Sequence, residues 1–509
     1  MGCTATALEG VRVIDLTEAL AGPYCAMILG DLGADVIKIE RPGVGDQSRR
    51  WGPPFVGTES AYFLSVNRNK RSVALDIKSD AGREQLAHLL ATADVFVCNV
   101  PRVDSLREAG LLPEPLLARN PRLIYCSITA YGRTGPYAGR TGYDLVAQGE
   151  AGLMAATGDV DGSPMRWPVA AADLSSGLWS ALSILAALHA RAETGRGQVI
   201  DQSLLEGQLS WAPVMATQHL ASGRRPAKLG NRHANIVPYE LFQAQDKHVI
   251  VAVGTEGQWH RLCEALGLGS AVRDDQRFAT NADRVRNRAE LKLLLDSVFG
   301  RRPADYWLGV LRAAGIPSGP VNALDEALND PQVRHRRMVV EFEHPMGTVR
   351  ALGNPIHLSE TPVTYRRRPP LLGEHTAEVL EASGFRGVEG PATVGAGMER
   401  TLRRPPRYPA AVPLRIAFEG AFAAGATFNV SDGGCAVRVS GLRPSVGDEV
   451  TLVTTGPRVG LVARAVVRWT QPDSGTERRV GLRVHSDWQD DPAWRALVAE
   501  IVGSGAGAP

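Results

Sequence analysis

No CxxC pair occurs in these 509 residues; the six cysteines (Cys3, Cys25, Cys98, Cys126, Cys263, Cys435) are scattered. That excludes the usual zinc-finger spacing and favours a reducing compartment. No metal site is expected. Charge of one sign is also missing. Lys and Arg number 56 against 54 Asp and Glu, a formal net charge of +2, so no global surface for a nucleic-acid polymer is expected. Aromatics are few, at 6 %. No basic-then-apolar segment opens the sequence, and the longest helix-like apolar run, 178–190, is too short for a bilayer and carries polar residues. The expectation is a cytoplasmic protein without a membrane span. Met1-Gly2-Cys3-Thr4-Ala5-Thr6 does fit the short N-myristoylation pattern. At this length two to four domains are expected.

What is present is alternation. Val11–Leu16 reads as a buried strand, Tyr24–Leu32 as a helix and Asp35–Glu40 as a second strand. Short connections between them make a βαβ unit and a parallel sheet. Ser72–Asp76, Asp94–Asn99, Leu123–Ile128 and Gln198–Leu204 continue the strands, with a helix over Ser79–Ala91. Glu40 closes the second strand, where a dinucleotide fold would offer an acid to a ribose. The first turn has one glycine (Gly22) where that fingerprint needs three, so NAD binding is not expected.

The expected organisation is a large α/β domain over 1–214, a small α/β domain over 215–325, a return to the large domain over 326–385 and a Gly-rich linker at 386–398. A β-barrel over 399–490 and a tail over 491–509 complete the chain. Short runs such as Val412–Phe418, Gly434–Val439, Glu449–Val453, Val462–Trp469 and Val480–Val484 carry the barrel reading.

The stretch 166–207 draws attention. Asp173 follows Ala170–Ala172 where helical spacing begins, and Leu178, Ala181, Leu182, Leu185 and Leu188 mark one apolar face. Asp173 reads either as an N-cap or as a carboxylate nucleophile kept ionised by the helix dipole.

Residues 8–385 resemble family III CoA transferases. The resemblance rests on Leu8-Glu9-Gly10-Val11-Arg12-Val13-Ile14-Asp15-Leu16, Ala21-Gly22-Pro23, Gly33-Ala34-Asp35-Val36-Ile37-Lys38-Ile39-Glu40-Arg41-Pro42-Gly43 and Asn69-Lys70-Arg71-Ser72. Tyr131-Gly132-Arg133-Thr134-Gly135-Pro136, Thr194-Gly195-Arg196-Gly197-Gln198, Gly230-Asn231-Arg232-His233, Asn235-Ile236-Val237-Pro238-Tyr239 and Leu372-Gly373-Glu374-His375-Thr376 extend it. It implies a Rossmann-like large domain, a small domain and an interlocked homodimer. It also implies an acyl-CoA donor, a carboxylic acid acceptor and no permanently bound cofactor. In this reading Asp173 is the nucleophile, passing CoA through an aspartyl-CoA thioester. The same resemblance makes Arg41, Asn69, Lys70, Asn99, Arg107 and Tyr131 the CoA-binding residues, cations suiting the phosphates. His233 and His375 read as structural.

Two departures matter. Asn99-Val100-Pro101-Arg102-Val103 stands where relatives often have Asn-Phe-Arg-Pro-Gly. Gly142-Tyr143-Asp144 stands where racemising relatives have Gly-His-Asp, leaving no obvious acid–base partner for a 2-methylacyl-CoA racemase. Racemase is the alternative within this fold. A degenerate transferase scaffold serving as a cyclic di-GMP-responsive interaction module is the alternative outside enzymes.

Residues 399–490 resemble a PilZ domain. Arg403-Arg404-Pro405-Pro406-Arg407 gives Arg-xxx-Arg, and Asn429-Val430-Ser431-Asp432-Gly433-Gly434 gives Asn-x-Ser-x-x-Gly. The resemblance implies cyclic di-GMP as effector, bound by Arg403, Arg404, Arg407, Asn429, Ser431 and Gly434. Guanidinium forks suit phosphates and the guanine edge.

Overall fold

The computed structural model describes residues 6–385 and six strands between 413 and 484. The chain divides into two compact units, Met1–Val388 and Glu389–Pro509.

In the first unit β1 (Arg12–Leu16), α1 (Ala21–Asp31), β2 (Asp35–Glu40), β3 (Lys70–Ala74), α2 (Asp80–Ala91), β4 (Val95–Cys98), β5 (Ile124–Thr129), α3 (Asp144–Glu150), α4 (Ala171–Thr194) and β6 (Val199–Ser203) follow in order. The six strands form one parallel sheet in the order β3-β2-β1-β4-β5-β6. This is the doubly wound, Rossmann-like order, and the strand order reverses between β1 and β4. Val13, Val36, Val95 and Val97 with Ile124 and Ile128 cover one face under α1 and α4; Ile14, Ile37, Val73 and Phe96 cover the other under α2.

Helix α4 differs from its sequence reading. It runs for 24 residues, longer than the 178–190 apolar run, with a mean hydropathy of 1.4 over an 18-residue window that is half buried. Its inward side is made of small residues (Ser175, Ser176, Ser180, Ala181, Ala187) with Ile184, whereas Leu178, Trp179 and Leu182 are exposed. The close approach to α1 is the cause. A Cβ on Gly177 would lie 2.6 Å from the carbonyl of Ala21, so bulky side chains cannot face that helix.

A separate core gathers around Trp259, Phe242, Phe299 and Trp307. It packs three helices, α5 (Glu256–Ala265), α6 (Arg288–Phe299) and α7 (Ala304–Ala313), on a three-stranded antiparallel sheet. That sheet comprises β7 (Tyr239–Gln243), β8 (His248–Ala252) and β9 (Ser318–Pro320), with β8 central. The chain then returns to the first sheet. The hairpin β10 (Val339–Phe342) and β11 (Val349–Leu352) packs on Phe63 and Leu64. Asn354 donates to Asp31, and Arg366 donates to the carbonyls of Gly30 and Ala34.

The second unit is a closed antiparallel barrel. Its strands are β12 (Pro413–Phe418), β13 (Ala421–Ser431), β14 (Gly434–Ser440), β15 (Glu449–Thr454), β16 (Val462–Pro472) and β17 (Glu477–Val484). They pair in the order β12-β13-β14-β17-β16-β15, with β15 closing on β12. The strand 421–431 is absent from the expected runs because Ala421-Phe422-Ala423-Ala424-Gly425-Ala426 has little β-branched or alternating character.

Candidate active site

A cavity of about 1210 Å³ lies at the carboxyl ends of the strands, where an open α/β sheet binds its ligand. The loops after β1 (Thr17–Leu20) and β4 (Asn99–Arg102) line it at the strand-order reversal. Asn99 joins them. Its Oδ1 accepts the Glu18 amide N–H at 3.1 Å and its Nδ2 donates to the Glu18 carbonyl at 2.9 Å. Ala19 takes a left-handed conformation (φ 70°), uncommon for a residue with a Cβ, and its N–H donates to Asp46 Oδ1 at 3.1 Å.

Beneath these loops lies a buried ionic network. Lys38 Nζ pairs with Asp46 at 2.9 Å and donates to the Thr17 carbonyl at 2.7 Å. Lys70 Nζ donates to Asp15 (3.0 Å), Asn67 (2.8 Å) and the Pro23 carbonyl (2.8 Å). Glu40 holds Arg49 through two 2.8 Å bonds and accepts from Ser72 at 2.6 Å. The acid that a dinucleotide fold would turn to a ribose thus grips an arginine of its own chain. Burial alone would raise the pKa of Asp15, but Lys70, Lys38 and the Thr17 hydroxyl outweigh it and hold the carboxyl below its usual range. Asp46 and Glu40 are likewise lowered against burial, by Lys38 and Arg49 respectively. Burial brings Lys70 down to about 8.

Asp173 lines the cavity from the first turn of α4. It is not the N-cap. That position is Ala170, which has no capping side chain. Asp144 of α3 supplies the cap instead: its Oδ1 accepts the N–H of Ala172 at 2.8 Å and of Asp173 at 3.4 Å, and its Oδ2 accepts Gln148 Nε2 at 2.7 Å. The Asp173 carboxylate is therefore free of the backbone role. Its pKa is pushed up to about 7, first by burial and then by the negative charge of Asp144. The sequence expectation of a carboxylate held ionised by the helix end is corrected here, because desolvation and a like charge act against it. Tyr62, which packs with Ala170 and Leu174, is pushed up to about 12 by burial and then by Asp173.

Of the expected CoA-binding residues, Arg41 and Asn99 line the cavity with Asp173. Arg41 pairs with Glu18 at 3.2 Å and is largely exposed. Lys70 does not line it. The ammonium is fully buried, and its three N–H groups already have three acceptors. Asn69 is also withdrawn: it accepts from the N–H groups of Arg366 and Arg367 and donates to Asp31 and the Thr364 carbonyl. It pins the returning segment to the sheet. Arg107 pairs with Asp104 on an exposed short helix and Tyr131 lies behind Arg140, neither of them lining the cavity. His375 accepts from the Ser72 N–H, a structural use.

Glu18, Lys78, Arg83, Arg102 and Arg140 line the cavity without having been singled out from the sequence. Their usable signal was position, since each follows the carboxyl end of a parallel strand. Asp144 had been weighed only as part of Gly142-Tyr143-Asp144.

In the barrel, Ser431 pairs with Gly434 across the β13–β14 turn and Asn429 pairs with Ala436. Arg403, Arg404 and Arg407 lie outside the described residues, as do the expected linker 386–398, the tail 491–509 and Met1–Ala5.

Residues 8–376 match CoA-transferase family III, and residues 401–501 match the PilZ domain. The chain is 44 % identical over 376 residues to the succinyl-CoA:glutarate CoA-transferase of Mus musculus, covering 74 % of this chain and 86 % of that protein. It is 44 % identical over 380 residues to the succinate–glutarate CoA-transferase of Agrobacterium fabrum, covering 73 % and 94 %. The crystal structure of a CAIB/BAIF family protein from Brucella suis is similar with a TM-score of 0.68 at 42 % identity, covering 74 % and 99 %.

Proposed function

The chain belongs to CoA-transferase family III and carries a PilZ domain, and from that premise we propose that Asp173 passes CoA from an acyl-CoA donor to a carboxylic acid. The Asp173 carboxylate attacks the donor thioester carbonyl and expels CoA thiolate, leaving an acyl-aspartyl anhydride. The thiolate attacks the aspartyl carbonyl of that anhydride, forming an aspartyl-CoA thioester and releasing the donor acid. The acceptor carboxylate attacks the aspartyl thioester, expelling the thiolate and forming a new anhydride. Attack of the thiolate on the acceptor's acyl carbonyl then gives the new acyl-CoA and restores Asp173. The observation that carries this reading is a cavity-lining carboxyl with no ion pair among the described residues, desolvated and therefore basic. Arg41, Lys78, Arg83 and Arg102 suit the phosphates of CoA, with Asn99 fixing the loop that lies against it. CoA is a substrate in this scheme rather than a resident cofactor.

The relatives named for succinyl-CoA, succinate and glutarate support dicarboxylic acids as the exchanged acyl groups. The exposed Leu178, Trp179, Leu182, Val214 and Leu220 support burial against a second copy, a homodimer. A cytoplasmic location agrees with a metabolic thioester substrate. Cyclic di-GMP at Arg403, Arg404, Arg407, Asn429, Ser431 and Gly434 would regulate transfer only by favouring one state of the enzyme over another.

Succinyl-CoA followed by hydroxylamine should label the Asp173 peptide, and Asp173→Ala should lose at least about 10³-fold in transfer rate. Full activity of that variant would remove Asp173 from the mechanism. Calorimetry with cyclic di-GMP should give saturable heat that Arg407→Ala abolishes, and transfer rates with and without the nucleotide read regulation directly.

A further inference from the structure

The cations of the cavity fall into two groups. Arg41, Lys78 and Arg102 follow β2, β3 and β4, and Arg83 lies on α2 just beyond β3. Arg140 stands apart, after β5, in the segment that runs through Gly142 and Tyr143 into Asp144. Asp144 in turn holds the first turn of α4 by accepting the amides of Ala172 and Asp173. The lone cation therefore belongs to the segment that holds the nucleophile, while the others belong to the segments after β2, β3 and β4.

Arg140 is also held in place. Its Nη2 donates to Glu150 Oε1 at 2.6 Å, and its guanidinium lies 4.7 Å from the ring centroid of Tyr131 and 5.1 Å from that of Tyr137. Among the described residues Glu150 is the single acceptor its side chain uses, and a guanidinium has five N–H groups. Two aromatic faces and one carboxylate fix the plane and leave donors over. Such a fork matches a second carboxylate in two-point geometry. Among the described residues no hydrogen bond or ion pair joins Arg140 to Asp173, so the guanidinium is not engaged as the nucleophile's partner.

A monocarboxylic acyl group would present only hydrocarbon beyond the reacting carbonyl. A dicarboxylic one carries an anion there, which without a cationic partner would be costly to take out of water. We propose that Arg140 is the specificity-determining residue that binds the distal carboxylate of dicarboxylic acyl groups while their other carboxyl reacts at Asp173. This rests on the transferase reading given above.

The test compares glutarate with valerate, an acid of equal length lacking the second carboxylate, using full-length wild type, Arg140→Met and Arg140→Lys. In a ping-pong exchange kcat/KM for the acceptor reports only the second half-reaction, so the donor's own requirement drops out. Arg140→Met should lower kcat/KM for glutarate by about 30-fold or more, through KM, with valerate within about 3-fold of wild type. Arg140→Lys should recover part of the glutarate loss, and calorimetric Kd for free CoA should be unchanged in both variants. Equal losses for the two acids, a weakened CoA Kd, or unchanged glutarate kinetics would each overturn the assignment while leaving the transferase reading intact. A wild type that transfers CoA to neither acid and forms no hydroxylamine-trapped Asp173 would overturn both.

Discussion

Asp15 and Asp46 lie under the cavity and Glu40 at its wall, paired with Lys70, Lys38 and Arg49 respectively; Asp173 lines the cavity with no ion-pair partner among the described residues. All four are removed from water to a large degree, yet the first three titrate below their usual range and Asp173 near 7. The difference lies in what surrounds each group. A buried carboxylate with an ammonium or guanidinium at hydrogen-bond distance is held ionised, and it fixes the elements that carry the pair. One facing only a like charge is left basic and available for attack. The paired set holds the loops after β1 and β2 in place, and the unpaired carboxyl is free for chemistry.

The pairing can be broken directly. Lys38→Met leaves Asp46 buried without its cation, and removing one member of a buried pair costs about 3–5 kcal/mol. Urea denaturation should show a loss of that size, and a loss below about 1 kcal/mol would mean that the network does not anchor the loops.

Asp173 should behave in the opposite sense. Its folded pKa of about 7 exceeds the ordinary aspartate value of 3.8, so the folded state binds more protons and stability falls as pH rises from near 4 through 7. The network carboxylates, lowered on folding, add stability that is lost as pH falls below their unfolded values. Asp173→Asn should therefore be more stable than wild type by roughly 2 kcal/mol at pH 8, within the ~4 kcal/mol that the pKa difference allows, and equal to it near pH 4. Thermal melts across that range check the sign, and transfer should be lost in the same variant.

The smallest effect concerns Asp144. Asp144→Asn keeps an oxygen for the α4 amides but removes the like charge, so the acid limb of kcat/KM should move down by roughly 0.5 pH unit. An unmoved limb would place the elevation of Asp173 in burial alone.

Much of the architecture was legible because strands and helices alternate in short periodic runs with short connections. That fixes a parallel sheet whatever the details of packing. The candidate nucleophile Asp173 was legible through the family resemblance. Its environment was not, since Asp144 comes 29 residues earlier and meets α4 only in three dimensions. The inward face of α4 was not legible for a related reason. Periodicity shows that Leu178 and Leu182 share a side, but not which side meets α1, and Gly177 with its neighbouring serines and alanines takes that contact. Lys70 looked like a phosphate ligand because a sequence shows a charge and not its partners.

The order of strands and helices, the transferase motifs and the candidate carboxylate Asp173 were determined by the sequence itself. They depend on local spacing and residue type, which survive without coordinates. Which ions pair beneath the cavity, which cations line it, and why one carboxyl among many titrates near 7 were decided by the tertiary structure, because burial and electrostatics act between residues far apart in the chain.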